Sequence, residues 1–430
     1  MTEKLFIAHA SQLITIDGHT EEPAKKQGMQ ELGLLTDGSL LIENGKITAL
    51  GPHEQMVRDY KETIAEAKMI DATGKIVTPG LIDPHTHLVH AGTRENEYAM
   101  RLQGKTYMEI MNAGGGIHAT TEATRAATFE QLYQESKQRL DTFLQYGVTT
   151  IEAKSGYGLS LEHECKQLEV ARQLNSDHPI DIVSTFMGAH AVPSGEDADH
   201  FVQRVAEEMI PVVAEKKLAE FNDVFCERGV FTPEQSKAIL LAGERHGLRA
   251  KIHADEIEPY GGAELAAEVG AISADHLLRA SDKGIEQMAE NNVIGVLLPG
   301  TAFFLMADFA KARRMIDQGV AVALSTDANP GSSPTLSLQF IMNLGCLKMG
   351  MTPEEVLVAA TINAAHAIGK AHEIGSLEAG KRADIAIFDV PNYYMLSYQY
   401  GMNHIDTVIK NGHVVVQHKQ LQEGVGTTSK

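Results

Sequence analysis

The sequence predicts an α/β fold, a (β/α)8 barrel of the TIM type carrying a small β-sandwich built from both chain termini. Three observations lead there. Eight short apolar runs alternate with helical segments through the middle of the chain, hairpin texture appears at both ends, and candidate metal ligands recur just past the apolar runs. The expected division is 1–75 for the first part of the sandwich, 76–372 for the barrel and 373–430 for the second part.

Residues 1–75 read as strands without helices: KLFIAHASQLITI, then GSLLIENGKITALG with a hairpin signal at Asn44-Gly45, then MIDATGKIV. One hairpin sheet has an apolar face and needs a partner. The C-terminal stretches GSLEAGKRADIAIFD and DTVIKNGHVVV offer it, the latter with its own turn at Asn411-Gly412. Between them the apolar runs are Ile76–Ile82, Val148–Ile151, Ile180–Met187, Phe221–Cys226, Leu248–Ile252, Ala271–Ala274, Val293–Leu298 and Val320–Leu324. Helical segments separate them, and Thr232-Pro233-Glu234 is a helix start. Eight such units imply parallel strands with right-handed crossovers, and chemistry at the strands' C-terminal ends.

Those ends carry the informative residues. PGLIDPHTHL places His85 and His87 two apart on an extended segment, so both imidazoles leave on one side. Two imidazoles are half a metal site. His253 in RAKIHADE, His276 in AISADHLL and Asp327 in VAVALSTDANPG follow later runs in the same way. Three neutral imidazoles and a carboxylate with an open position suit a mononuclear catalytic site for zinc or a similar divalent ion. Such an ion brings the pKa of bound water to about 7, and Asp327, His276 and Glu256 are the candidate catalytic groups to handle its proton.

Composition narrows the remaining classes. The formal charge of −20 and pI near 5.4 leave no basic surplus for nucleic acid or anionic membrane. Cys165, Cys226 and Cys346 are odd in number and far apart, so they read as apolar residues rather than as a disulfide or zinc motif. No apolar run is long enough to span a membrane and the N-terminus lacks a signal-peptide pattern, so the expected location is cytoplasmic. The Gly114-Gly115-Gly116 run lacks a phosphate-loop ending and reads as a rim or lid segment. Glu152 and Lys154 read as an ion pair without a chemical role, and His118, His163, His178, His200, His246, His366 and His372 as surface or helix residues.

The chain resembles the amidohydrolase superfamily through its His-x-His and its last-strand Asp. The stretches HTHLVHAGTRENEYAMR, NAGGGIHATTEATR, EAKSGYGL, TFMGAHAVP, HADEI, SADHLL and STDANPGSSP extend the resemblance over nearly the whole chain, to one branch of that superfamily. The resemblance implies hydrolysis of the ring amide of 4-imidazolone-5-propanoate to N-formimidoyl-L-glutamate, with one divalent ion per chain, Zn2+ or Fe. It assigns His85, His87, His253 and Asp327 to the metal. It assigns Arg94, Tyr157, His190, Glu256 and Ser332 to substrate, and Asn329 and Gly331 to product.

The chemistry agrees with those assignments. A propanoate tail suits a guanidinium fork at Arg94, a polar ring suits Tyr157, His190 and Glu256, and backbone groups near Asn329, Gly331 and Ser332 suit a carboxylate. Binuclear relatives carry a carbamylated lysine at the end of strand four, where this chain reads Phe225-Cys226-Glu227, so one ion is expected and a second one bridged by Glu227 to His276 is the alternative. A different ring substrate within the superfamily and a silent scaffold are the competing functions. The scaffold would lack ligands, and none is missing. A homodimer is the expected assembly.

Overall fold

In a computed structural model, residues 4–105, 109 and 115–422 are described. The chain opens with β1 (Lys4–Ile14), β2 (Leu34–Glu43), β3 (Lys46–Pro52), β4 (Lys68–Asp71) and β5 (Ile76–Pro79). β2 and β3 are joined at Asn44-Gly45 with Glu43 opposite Lys46, and Asn44 has φ 53°, as a two-residue primed turn requires. The barrel strands follow: β6 (Leu81–Thr86), β7 (Val148–Lys154), β8 (Asp181–Ala189), β9 (Phe221–Cys226), β10 (Arg249–Ala254), β11 (Ser273–His276), β12 (Ile294–Leu297) and β13 (Val322–Leu324). They pair in sequence order, each parallel to the next. β14 (Ile385–Phe388), β15 (Ile405–Lys410), β16 (His413–Gln417) and β17 (Gln420–Leu421) then return to the first sheet.

That return joins the chain ends. β14 pairs antiparallel with β5, which itself lies parallel to β1, so nine strands from both termini form one sheet. The sheet encloses a small core of its own with Leu5, Ile7, Leu40, Ile47, Val77, Ile385 and Ile409, the arrangement expected of the sandwich. It is tied to the barrel by charge: Asp181 at the start of β8 meets Lys410 Nζ at 2.6 Å and Arg382 Nη2 at 2.6 Å.

The helices that separate the barrel strands start where the sequence says. Thr128 caps the helix Phe129–Gln145 and Thr232 caps Pro233–Arg245, each in a reciprocal capping box with the glutamine three residues on. Among the described residues no helix is long and apolar enough to cross a membrane.

Two expectations change. Residues 1–75 are not free of helix: a 3-10 turn forms at Lys26–Gln30, and helices form at His53–Asp59 and Lys61–Ala65. Met56, Tyr60 and Ile64 recur at helical spacing and pack on Phe6, Ala8 and Leu41, covering the sheet's other face. The run Ile76–Ile82 also divides at Gly80. Its first half is β5 of the terminal sheet and only its second half, β6, is barrel. A continuous apolar run does not reveal which sheet each half joins.

Closure of the barrel decides where the functional residues lie. Past β13 the chain pairs in parallel with the end of β6, with Asp327 N–H donating to His85 O at 3.1 Å and His87 N–H donating to Ala328 O at 3.0 Å. Side chains reinforce this seam. Buried Asp83 accepts from Thr326 Oγ1 at 2.6 Å, from Thr326 N–H at 3.2 Å and from the Ser325 hydroxyl. Asp83→Ala would leave the two Thr326 donors without an acceptor away from water, while the Ser325 hydroxyl keeps His85 O. A loss of about 2–5 kcal/mol in urea unfolding is expected. An unchanged urea midpoint would show that backbone pairing alone holds the seam.

Candidate metal centre and active site

His85 and His87 project from the end of β6, His253 from β10, His276 from the end of β11, and Asp327 follows β13. The structure brings all five together. One ring nitrogen from each of His85, His87 and His253 lies within 4.8 Å of the others, and the same holds for the ligand atoms of His85, His276 and Asp327. Asp327 Oδ1 stands 3.5 Å from His85 Nε2 and 3.7 Å from His87 Nε2. Its other oxygen accepts from Thr301 Oγ1 at 2.6 Å, which fixes the carboxylate's rotation. Asp327 and His276 have φ of 51° and 73°, left-handed values that are unfavourable for residues with a Cβ and are typical of functional positions.

The electrostatics suit a cation. Burial holds His85, His87 and His276 well below the ordinary imidazole range, with neighbouring cationic groups adding to the effect, so all three are neutral. His85 Nε2, His253 Nε2, His87 Nδ1 and His276 Nδ1 are buried with no hydrogen-bond partner. Buried polar atoms are rarely left so, and unpartnered Nε2 atoms on His85 and His253, with His85 Nε2 beside the Asp327 carboxylate, are donors of the kind a divalent ion completes.

The histidines are oriented from behind. His85 Nδ1–H donates to Asp275 Oδ2 at 2.6 Å, and His253 Nδ1–H to Asp223 at 3.1 Å, which leaves each Nε2 for the ion. Asp223 and Asp275 had no place in the sequence-based site. Their signal is a charged residue inside an otherwise buried strand, as in FNDVFC and SADH.

The remaining site residues stand on loops at the same barrel rim, held by buried acceptors. Glu164 accepts from Gly156 N–H at 3.0 Å, Gly158 N–H at 2.7 Å and Leu159 N–H at 2.7 Å, fixing the loop that presents Tyr157. His190 Nδ1–H donates to Gly156 O at 3.1 Å, and its ring stacks on His87 at 4.8 Å. Burial takes His190 down to about 3, so it is neutral. Asp255 accepts four N–H bonds from residues 260–263 and so shapes the loop bearing Glu256. Burial, with Asp327 and Glu227 adding like charge, pushes the Glu256 carboxyl up to about 8. Its Oε2 lies 3.7 Å from His276 Nε2.

Several expected details differ. The Arg94 fork is already occupied, because Nε and Nη2 donate to Glu97 at 2.8 and 2.7 Å, a bidentate pair that sequence spacing did not reveal. Its Nη1 packs on Gly331, where a Cβ would come within 2.0 Å of it. The backbone N–H groups of Gly331 and Ser332 both donate to Asn329 Oδ1 at 2.8 Å, so they brace the loop and are not open donors. Glu227 spends its oxygens on Arg228 N–H at 2.9 Å and Ile257 N–H at 2.8 Å. Lys154 and Glu152 do pair, at 2.9 Å, but as part of a larger buried group. His178 is a buried residue and not a surface one, its ring accepting from Ile180 N–H at 3.1 Å. Gly114 lies outside the described residues.

A barrel with neutral imidazoles and a carboxylate at the C-terminal rim defines a metal-dependent hydrolase, and residues 76–415 match the amidohydrolase family. An imidazolonepropionase from Brevibacillus brevis is 69% identical over 423 residues, 98% of this chain and 100% of its own length. One from Geobacillus sp. strain WCH70 is 68% identical, covering 97% of this chain and 99% of its own. Among solved structures, a triazine hydrolase variant superimposes with a TM-score of 0.73 at 18% identity, covering 98% of this chain and 96% of its own. An adenosine deaminase from Xanthomonas campestris with bound zinc gives 0.67 at 18% identity, covering 97% and 94%, and these two speak for the fold alone. The chain belongs to the imidazolonepropionase branch of the amidohydrolase family.

Protein stripped with a chelator is expected to melt at a lower temperature than protein resupplied with zinc, by several degrees at saturating metal. In Asp327→Ala that increment should shrink or vanish. An equal increment in both proteins would place the ion elsewhere.

Proposed function

We propose that the chain hydrolyses the ring amide of 4-imidazolone-5-propanoate to N-formimidoyl-L-glutamate, and that the barrel, which begins at Leu81, carries the chemistry. The observation that supports this most is convergence: Arg94, Tyr157, His190, Glu256 and the 329–332 loop share one rim with the imidazole cluster. In this reading His85, His87, His253 and Asp327 hold one divalent ion, zinc or iron. Glu227 has one backbone N–H on each oxygen, Arg228 and Ile257, which supports a bracing role for it over a bridging one. When bound, the ion supplies an acidified water and polarises the ring carbonyl.

The chain's own groups do the rest. Arg94 Nη1 and the Ser332 hydroxyl take the propanoate, with Glu97 keeping the guanidinium in place. Tyr157 and His190, 5.4 Å apart between ring centroids, form one wall against which the flat ring lies. The Asp327 carboxylate, its rotation fixed by Thr301, takes the proton released as water adds to the carbonyl carbon. That proton goes to the ring nitrogen as the C–N bond breaks. His276 orients the attacking water, and Glu256, protonated near neutrality, donates to the ring. We take the enzyme as a cytoplasmic homodimer, the assembly to be read from its mass in solution.

The direct test generates the imidazolone in place from urocanate and follows loss of its chromophore. Turnover by metal-loaded protein should disappear in Asp327→Ala, while Arg94→Ala should raise KM by about 10–100-fold, the worth of a charged hydrogen bond. Metal-loaded protein without turnover would reject the substrate.

His276→Ala separates water orientation from metal binding. It is expected to lose kcat by about 100-fold or more and still retain one ion per chain by elemental analysis. Loss of the ion would make His276 a ligand.

A further inference from the structure

We infer that Lys154 is a positioning residue for the metal centre, the single cation that holds both carboxylates behind His85 and His253 in place. The inference rests on the reading that the imidazole cluster binds a divalent ion.

β7 runs through the barrel interior with Glu152 and Lys154 two apart, both fully buried. Lys154 Nζ lies 2.7 Å from Asp223 Oδ2, 2.9 Å from Glu152 Oε1 and 3.3 Å from Asp275 Oδ2. These are the only side-chain acceptors it meets among the described residues, and two of the three are the acceptors of the metal-side histidines. The remaining bonds of those acceptors are also fixed. Asp275 Oδ1 accepts from Ser273 Oγ at 2.7 Å, and Asp223 Oδ1 from Val224 N–H at 2.7 Å. A second cation, Lys251, sits one step further away, 2.7 Å from Glu152 Oε2, with no bond to either aspartate.

The arrangement has a physical reason. Two carboxylates this close in a water-free interior repel each other, and a cation standing between them holds both in place. Without that cation either carboxylate is free to turn away from its histidine, and the imidazole then loses its aim at the ion. One ammonium touching both carboxylates therefore sets two ligands at once. Simple charge balance would not require that. Lys251 also balances charge, but it reaches neither histidine's partner.

The test compares zinc affinity, by chelator competition, in the wild-type chain, Lys154→Met and Lys251→Met, with melting temperatures measured with and without zinc. Lys154→Met is expected to weaken zinc by about 10–100-fold, the usual loss when a ligand's orienting partner is disturbed, and to shrink the melting increment on adding zinc. Lys251→Met should melt lower in both states with zinc affinity within about twofold of wild type. Unchanged zinc affinity in Lys154→Met, with both states destabilised equally, would overturn the inference and leave Lys154 a structural cation. If the single variant does not fold, Lys154→Met/Asp275→Asn removes one charge of each sign. It should bind zinc at least threefold more weakly than Asp275→Asn alone, because the hold on Asp223 is lost as well, and equal affinities would overturn the inference. A wild-type chain that binds no zinc would reject the metal centre itself and this inference with it.

Discussion

The seam between β6 and the chain leaving β13 is the contact on which the rest of the structure depends. It pairs residues about 240 positions apart and is the last parallel pairing needed to close the barrel. The backbone bond from Asp327 to His85 O is part of it, so closure and metal-site assembly are one event. The carboxylate meets the His-x-His pair because their main chains are hydrogen-bonded. Asp83, two residues before His85, explains why the seam is polar: its carboxylate takes the Ser325 and Thr326 donors that a strand this short cannot satisfy with partners of its own.

Much of this was legible in the residues. The strand runs mark all eight barrel strands because parallel strands buried on both faces are continuous apolar stretches, and the ligands follow those runs because barrel chemistry sits at strand C-termini. Asn44-Gly45 and Asn411-Gly412 fixed two hairpins through the φ values that only such pairs adopt easily. Helices at His53–Asp59 and Lys61–Ala65 were missed because Met56, Tyr60 and Ile64 form a narrow stripe in a polar stretch. The division at Gly80 was invisible because both halves of the run are equally apolar.

The site was legible at its ligands and less so around them. His85, His87, His253 and Asp327 could be picked out since each ends a strand. The Glu152–Lys154 pair could be read from their spacing on one strand, but Asp223, Asp275 and Lys251 join it through barrel register, which no local pattern encodes. Glu97 illustrates the same limit at the rim. The spacing of Arg94 and Glu97 permits a pair, but only the structure shows that the guanidinium's two-donor edge faces protein.

The loops explain how one barrel can serve different substrates. Solved structures at 18% identity share the fold, and the expected substrate contacts of this chain stand mostly on segments without regular structure. Those segments are nevertheless fixed. Glu164, Asp255 and Asn329 each gather two or more backbone N–H groups onto a single buried side-chain oxygen or carboxylate, doing for a loop what a ladder does for a strand. A loop held in this way presents Tyr157, Glu256 or Ser332 at a fixed point without the ordering cost that a mobile loop would incur on binding. The anchoring residue need never touch the substrate. Specificity for a small ring can therefore be changed by moving the anchor of a loop, with every metal ligand and barrel strand kept.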